Sequence, residues 1–404
     1  MNLIKPNLDL STDELRHASC HNFYIVDYEN TIHNITKGKL QDGSSTNYNV
    51  YPVCVGILDK DKKFNFFYKD LVEEHDGELD KYIKSTFGSN IESFFVAANA
   101  KHDLHLMYRY HKVIPKYVWD ILLIEYIESG QKKKWVSVED IATKMKLGDK
   151  EKEINDYWER GINTDSIPES IIRTRNESDC KLEGNIWWRQ SNPKYYGHND
   201  RRLNCLFKQE NRYILSLLRM EINGIKIDFN KLHSLKLDTE NKIRSIDCEI
   251  GDLLDFGSFN LDSNDHISAI LFGGIVKRKV PKSGVLTYKL PRLIDPVEGF
   301  SVEKEGYFST NDDHLNSLVF DENNDNHKKA KRFLELYQER TKLQTEIDKY
   351  ILPFIEHYKN KGWTDNIIHP TFNNTSTDTG RLSCKAPNSQ NMSSLVKCCV
   401  ISRY

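Results

Sequence analysis

Two apolar stripes in the second half of the chain restrict its fold more than any other feature. Leu232, Leu235, Ile243, Ile246, Ile250 and Leu253 recur at spacings near three, four and seven. Phe333, Leu336, Leu343, Ile347, Tyr350 and Phe354 repeat the pattern. Such spacing predicts two long helices, each burying one face, and gives the region from Asn204 onward a mainly α-helical character. These stripes carry architecture rather than chemistry. The region before them reads differently. Phe23–Tyr28, Tyr51–Leu58, Phe64–Tyr68 and Phe94–Ala97 are short runs rich in Val, Phe and Tyr, as strands are. Leu79–Phe87, Asp103–Tyr110 and Asp120–Glu128 read as helices between and after them, and Val138–Trp188 is more helical still. Strands interleaved with helices predict an α/β domain, a mixed sheet with flanking helices. A boundary is expected near residue 200, after the Gln190–Arg202 stretch with its Pro193 and Gly197.

A chain of 404 residues has room for two or three domains with cores of their own. The formal net charge is −2, so a nucleic-acid surface must be local rather than global. No apolar run approaches the roughly 18 residues that span a bilayer, and Met1–Leu10 lacks a secretory pattern. The eight cysteines form no C-x-x-C pair, which points to reduced thiols and a cytoplasmic setting.

Acidic residues punctuate the first half at three places. Asp27-x-Glu29 ends the first predicted strand, where alternation puts both carboxylates on one face, roughly 6.6–6.8 Å apart. Hard oxygen donors at that spacing suit a divalent cation, although such pairs are more often solvated. Asn99-Ala100-Lys101-His102-Asp103 follows the fourth strand, so Asp103 sits at a strand–helix junction that can aim a carboxylate into a cleft. Asn176-Glu177-Ser178-Asp179 lies on a helix, where an isolated Asp is ordinarily a surface charge.

Taken in order, these motifs resemble the proofreading 3′→5′ exonuclease domain of family A DNA polymerases, the DNA polymerase I type. The Trp119-Asp120 and Glu125-Tyr126 spacing adds to the likeness, which covers residues 20–185. It implies a ribonuclease H-like fold and a catalytic site of Asp27, Glu29, Asp103 and Asp179. Asp27 would bridge two metals, Glu29 and Asp179 would bind one of them, and Asp103 would complete the site, partly through water. Two ions about 3.5–4 Å apart supply a hydroxide and a partner for the leaving oxyanion. All-oxygen ligands favour Mg²⁺, with Mn²⁺ as substitute. Asn99 and Lys101 are expected to contact DNA. One position departs from the family. The residue four before the last Asp is Arg175, where a tyrosine subclass carries Tyr, and Thr174 stands where a histidine subclass has His. A guanidinium cannot act as a general base at ordinary pH. Arg175 is therefore expected to weaken or alter hydrolysis, and to hold a phosphate.

The second half resembles the same family. Glu221-Ile222-Asn223-Gly224-Ile225-Lys226-Ile227-Asp228 is similar to its lead-in to the polymerase domain, with Gly224 at φ > 0 and Asp228 capping the next helix. Phe259-Asn260-Leu261-Asp262-Ser263 is similar to the step into a thumb helix, with Ser263 or Asn260 as cap and Ile267, Ile270 and Leu271 packed. Val276–Leu293 reads as a basic loop where the thumb tip would be; Lys277, Arg278, Lys279, Lys282, Lys289 and Arg292 are expected to face duplex phosphates. Lys328, Lys329, Lys331, Arg332, Arg340 and Lys342 form a second basic strip. The closest likeness runs from Ile368-His369-Pro370-Thr371-Phe372-Asn373 through Thr379-Gly380-Arg381-Leu382-Ser383. It implies that Arg381 reaches the minor groove at the primer end, beside Asn388, Gln390 and Asn391, with Pro387 stiffening their loop.

The resemblance implies domains of 1–200 (exonuclease) and 201–404 (thumb and start of palm), and a DNA replication component. In the family the palm strand with the first catalytic aspartate follows this segment, whereas this sequence stops at Tyr404. Val396–Ile401 is expected to be a palm strand. A split polymerase with a second polypeptide carrying palm and fingers, a shortened polymerase, and an exonuclease with a DNA-gripping thumb are the competing explanations. A polymerase component is favoured, phage-like and resident in a bacterial or phage-infected cytoplasm. Its partners would be primer-template DNA and single-stranded 3′ ends, with no membrane. The alternative is a primer-template-binding subunit with impaired exonuclease.

Overall fold

Pro52–Asp59 (β2) is buried along almost its whole length, as a strand must be when both neighbours and both faces are covered. It pairs antiparallel with Asn22–Asn30 (β1) on one side and with Phe64–Tyr68 (β3) on the other. Beyond β1 the sheet continues in parallel through Ser93–Ala97 (β4) to Tyr117–Asp120 (β5). The order is therefore β3-β2-β1-β4-β5, a five-stranded mixed sheet. These features belong to a computed structural model that describes residues 22–31, 35–36, 39–40, 44–69, 77–89, 91–132, 136–148, 153–191, 201–255, 259–280, 284–300 and 306–402. Strand β5 was not expected. Its four residues are too few for alternation to register, and parallel pairing with β4 defines it.

Helices Glu78–Phe87 (α1), Lys101–His111 (α2), Ile121–Glu128 (α3), Val138–Met145 (α4), Glu153–Glu159 (α5) and Glu169–Ser191 (α6) flank this sheet. Their starts follow from local chemistry. Asp120 accepts the N–H groups of Leu122 and Leu123 at the head of α3, and Ser137 with Asp140 forms a capping box at α4. Arg201–Asn223 (α7) joins the same core through Phe207, Ile214, Leu215 and Leu218.

The chain divides into two compact units, neither continuous in sequence. One comprises Met1–Ile227, Phe354–Met392 and Val400–Tyr404; the other comprises Asp228–Pro353 and Ser393–Cys399. This differs from one cut near residue 200, whose own segment, 192–200, lies outside the described residues. The apolar face of α7 keeps it with the sheet.

The second unit holds the two striped helices. Phe229–Leu254 (α8) is capped by Asp228, whose side chain accepts from Lys231 N–H. Asp325–Thr345 (α9) is capped by Asn324 after a turn at Glu322 and Asn323. The second stripe is not one α-helix. Glu346–Ile351 widens into a π-helix before Leu352–Asn360 (α10) resumes, a longer register that keeps Ile347 and Ile351 buried. Asn264–Phe272 (α11) buries Ile267, Ile270 and Leu271 as expected, but Ser263 at its start makes no side-chain cap, and the Asn260 carbonyl oxygen of the side chain accepts from Asp262 N–H instead. The expected basic loop is an antiparallel hairpin, Gly274–Val280 (β6) with Gly284–Leu290 (β7). Its arms pair from Gly274–Leu290 to Val280–Gly284, with Val276 buried and Lys277 exposed on either side of the ribbon.

Candidate functional site

Asp27 and Glu29 sit two residues apart on β1, and α6 brings Asp179 to them. One carboxylate oxygen from each lies within 4.8 Å of the others. This convergence needs a close approach of α6 to the sheet, and Gly56 on β2 permits it. Gly56 pairs with Asp27 in the ladder, and a Cβ built on it would fall 1.8 Å from Asn176 Oδ1. Asn176 therefore lies directly over the strand. Its Nδ2 donates to the Asp27 backbone carbonyl at 3.0 Å and to Asp27 Oδ2 at 2.9 Å, fixing that carboxylate's orientation. Sequence reasoning quoted Asn176 only as part of a motif and missed Gly56 altogether.

Asp103, on the first turn of α2, stands beside the trio rather than within it. Its Oδ1 accepts the Tyr28 backbone N–H at 3.0 Å. Burial pushes its carboxyl well above the usual range, and the charge of Asp27 adds to the shift. The neighbouring His102 is held low, at about 4, by burial first and by the positive groups around it second.

Arg175 lies one helical turn before Asp179, and its Nε is 2.8 Å from Asp179 Oδ2. The two side chains are 9% and 5% exposed. The guanidinium thus touches the carboxylate trio itself.

The DNA-contact expectations fare unevenly. Lys101 Nζ donates to Glu221 Oε1 and to the Phe372 carbonyl. Glu221 is fully buried and also accepts from His105 Nε2 at 2.6 Å and Phe372 N–H at 2.6 Å. Burial alone would raise the Glu221 carboxyl, but the His105 hydrogen bond and the Lys101 charge outweigh it and hold it below its ordinary value. Asn99 takes positive φ, 56°, and its N–H donates to Asp120 Oδ1 at 3.2 Å. Four backbone donors crowd Asp120, yet burial still raises its carboxyl to about 6.

Arg381 is exposed in the loop between Thr371–Asn373 (β8) and Ser383–Lys385 (β9), an antiparallel pair. Gly380 before it takes φ 65°, which supplies the turn. Tyr126 anchors the loop through a hydrogen bond to the Thr377 carbonyl at 2.6 Å. Asn388, Gln390 and Asn391 are exposed too, with Asn388 Oδ1 accepting from Gln390 N–H. On the second unit, Lys277 and Lys289 are exposed. Arg278 and Lys279 lie on β6, but their side chains, and Lys282 entirely, fall outside the described residues. Five of the six residues of the second basic strip carry ion pairs. Arg332 pairs with Glu249 and Glu335, Lys328 with Asp325, Lys329 with Asp255, Lys331 with Glu322, and Arg340 with Asp247 and Asp262. Arg340 is buried, Lys342 is exposed, and Lys328, Lys331 and Arg332 pair at the surface, where ion pairs are weak. The expected strand at Val396–Ile401 is corrected as well. Ser393 caps a short helix, Ser394–Lys397, and Val400 makes a single bridge to Ile227. Among the described residues no helix is long and apolar enough to cross a membrane.

Comparison with known proteins follows this geometry. The family model described as DNA polymerase family A matches residues 229–398. Over 195 residues, 48% of the chain, the sequence is 31% identical to the thermostable DNA polymerase I of Thermus thermophilus, covering 20% of that protein. It is 28% identical over 214 residues to the Thermus aquaticus counterpart, 52% of this chain and 21% of that protein. The chain thus spans about a fifth of the length of these curated relatives. A solved structure of the POL domain of Pol1 from M. smegmatis, in complex with DNA primer-template and dNTP, superposes with a TM-score of 0.59 at 17% identity. That alignment covers 94% of this chain and 53% of the other.

Proposed function

We propose that this chain, whose residues 229–398 match DNA polymerase family A, serves DNA replication by gripping a primer-template and hydrolysing 3′ ends. The five-stranded sheet is read as a ribonuclease H-like exonuclease domain, and the helices and hairpin of the second unit as a thumb. The observation that carries the hydrolytic reading is the convergence of Asp27, Glu29 and Asp179 within 4.8 Å. Three oxygen donors on a strand and a helix suit a hard divalent ion such as Mg²⁺. When bound, such an ion lowers the pKa of a coordinated water and offsets charge on the phosphate. The chain's own residues do the rest. Asn176 fixes Asp27, Tyr28 N–H fixes Asp103, and the buried face of α6 keeps Asp179 in register with the strand. Asp27→Ala is expected to reduce Mg²⁺-dependent trimming of a mispaired, end-labelled 3′ terminus to background. Unchanged trimming by the variant would remove the site from the reaction.

Arg381 is proposed to meet the duplex. It is exposed beside a positive-φ glycine in a loop tied down by Tyr126, so its position is held while its guanidinium stays available. Arg381→Ala should weaken primer-template binding uniformly across sequences and reduce the salt slope by about 1. Fluorescence anisotropy at several salt concentrations reads both, and an unaltered slope counts against the contact.

A second reading, a primer-template binder with a compromised nuclease, is favoured by the Arg175–Asp179 ion pair. Nucleotide addition would belong to the whole protein and its partners, a second polypeptide with palm and fingers among the candidates.

A further inference from the structure

The position of Arg175 says more about the acidic site than that a tyrosine is missing. The three carboxylates carry three negative charges within a 4.8 Å neighbourhood. Such crowding is costly without nearby positive charge, and in a site of this kind metal ions ordinarily provide it. Here the chain already provides some. Arg175 projects from the same face of α6 as Asp179, one turn earlier, and puts its Nε 2.8 Å from Asp179 Oδ2. Both side chains are more than nine-tenths buried. A guanidinium is kept there only when paired, because an isolated buried charge is strongly disfavoured. Unlike a metal, it cannot be displaced by chelation. One positive charge set against three negative leaves two, the charge of a single divalent ion.

We propose that Arg175 is a built-in cation that takes the place of one of two metal ions, so that the cluster of Asp27, Glu29 and Asp179 recruits one divalent cation rather than two. This rests on reading the cluster as a metal site. Glu29 and Asp27, two residues apart on one strand and with Asp27 already oriented by Asn176, are the ligands left to that ion. Asp179 is shared between it and the guanidinium. Arg175 is therefore a positioning and charge-compensating residue. Its planar fork can also pair with a phosphate oxygen that enters the site, stabilising charge without supplying hydroxide.

The experiment counts ions and does not depend on turnover. The full chain is titrated with Mn²⁺, and bound ions are measured by electron paramagnetic resonance or by calorimetry. The expected result is one ion per chain, two in Arg175→Gln, and none in Asp27→Ala. Two ions in the intact protein, or one in Arg175→Gln, would overturn the inference while leaving the metal site standing. Unchanged binding in Asp27→Ala would instead overturn the site. Should Arg175→Gln fail to fold, Arg175→Lys decides the matter. It keeps the positive charge and so must bind one ion; two would show that charge compensation is not what limits the count.

Discussion

Glu221→Ala is expected to cost about 3–5 kcal/mol, the range for removing one member of a buried charged network. Glu221 is fully buried and gathers three donors from different parts of the chain: Lys101 Nζ and His105 Nε2 from α2, and the Phe372 N–H from β8. Removing the carboxylate leaves the Lys101 ammonium with the Phe372 carbonyl as its recorded partner, and strands a buried N–H. Denaturant titration should show the loss, and amide exchange at Phe372 should accelerate sharply. Glu221→Gln should recover part of it, since its amide oxygen still accepts, although the charge that holds Lys101 is gone. A midpoint unchanged in Glu221→Ala would mean that the network is ornamental and that α7 is held by its apolar face alone. The prediction also separates two readings of Lys101. A lysine that contacts DNA would alter affinity without altering stability, whereas one locked to Glu221 alters stability first.

Gly56→Ala should be nearly as damaging, by a different route. The added Cβ would meet Asn176 Oδ1 at 1.8 Å, Asn176 Cγ at 2.8 Å and Phe64 Cε2 at 2.8 Å. Real Cβ atoms do not approach that closely, so α6 or the strand must move. Overpacking in a dense core costs typically 1–3 kcal/mol, and the upper end, about 3 kcal/mol, is expected where helix and sheet are both constrained. The effect reaches the site as well. Asn176 holds Asp27 by two hydrogen bonds, so displacing it frees the carboxylate that the metal reading depends on most. A lower melting temperature with weakened Mn²⁺ binding is expected together. Lost stability with intact Mn²⁺ binding would show that Asn176 relaxes without carrying Asp27 along.

Much of the sheet was legible because its signals are local. The short Val- and Phe-rich runs of Pro52–Asp59 and Phe64–Tyr68, and apolar spacing in α1 and α8, depend on neighbours a few residues away. The three carboxylates that meet could be named from motif order and type, since strand β1 fixes two of them on one face. What escaped depends on contacts distant in sequence. A lysine after a strand looks solvent-facing until its acid is found 120 residues later. Gly56 carries no side chain to read, and its meaning appears only once α6 lies over β2. The ion pairs that neutralise Arg332 and Arg340 come mainly from α8 and from Asp262, far from the basic run itself. At Val396–Ile401 an apolar composition suggested a strand, but the Ser393 hydroxyl caps a helical turn there instead.

The three-part make-up of the sheet-bearing unit also sets a schedule during synthesis. The Phe372 N–H that completes the Glu221 network lies 151 positions downstream of it. At about 5–20 residues per second, a ribosome needs roughly 8–30 s to deliver it. Throughout that interval the nascent sheet waits with a buried acid short of a donor, while the long segment of the other unit, Asp228–Pro353, emerges between the first two segments of its own.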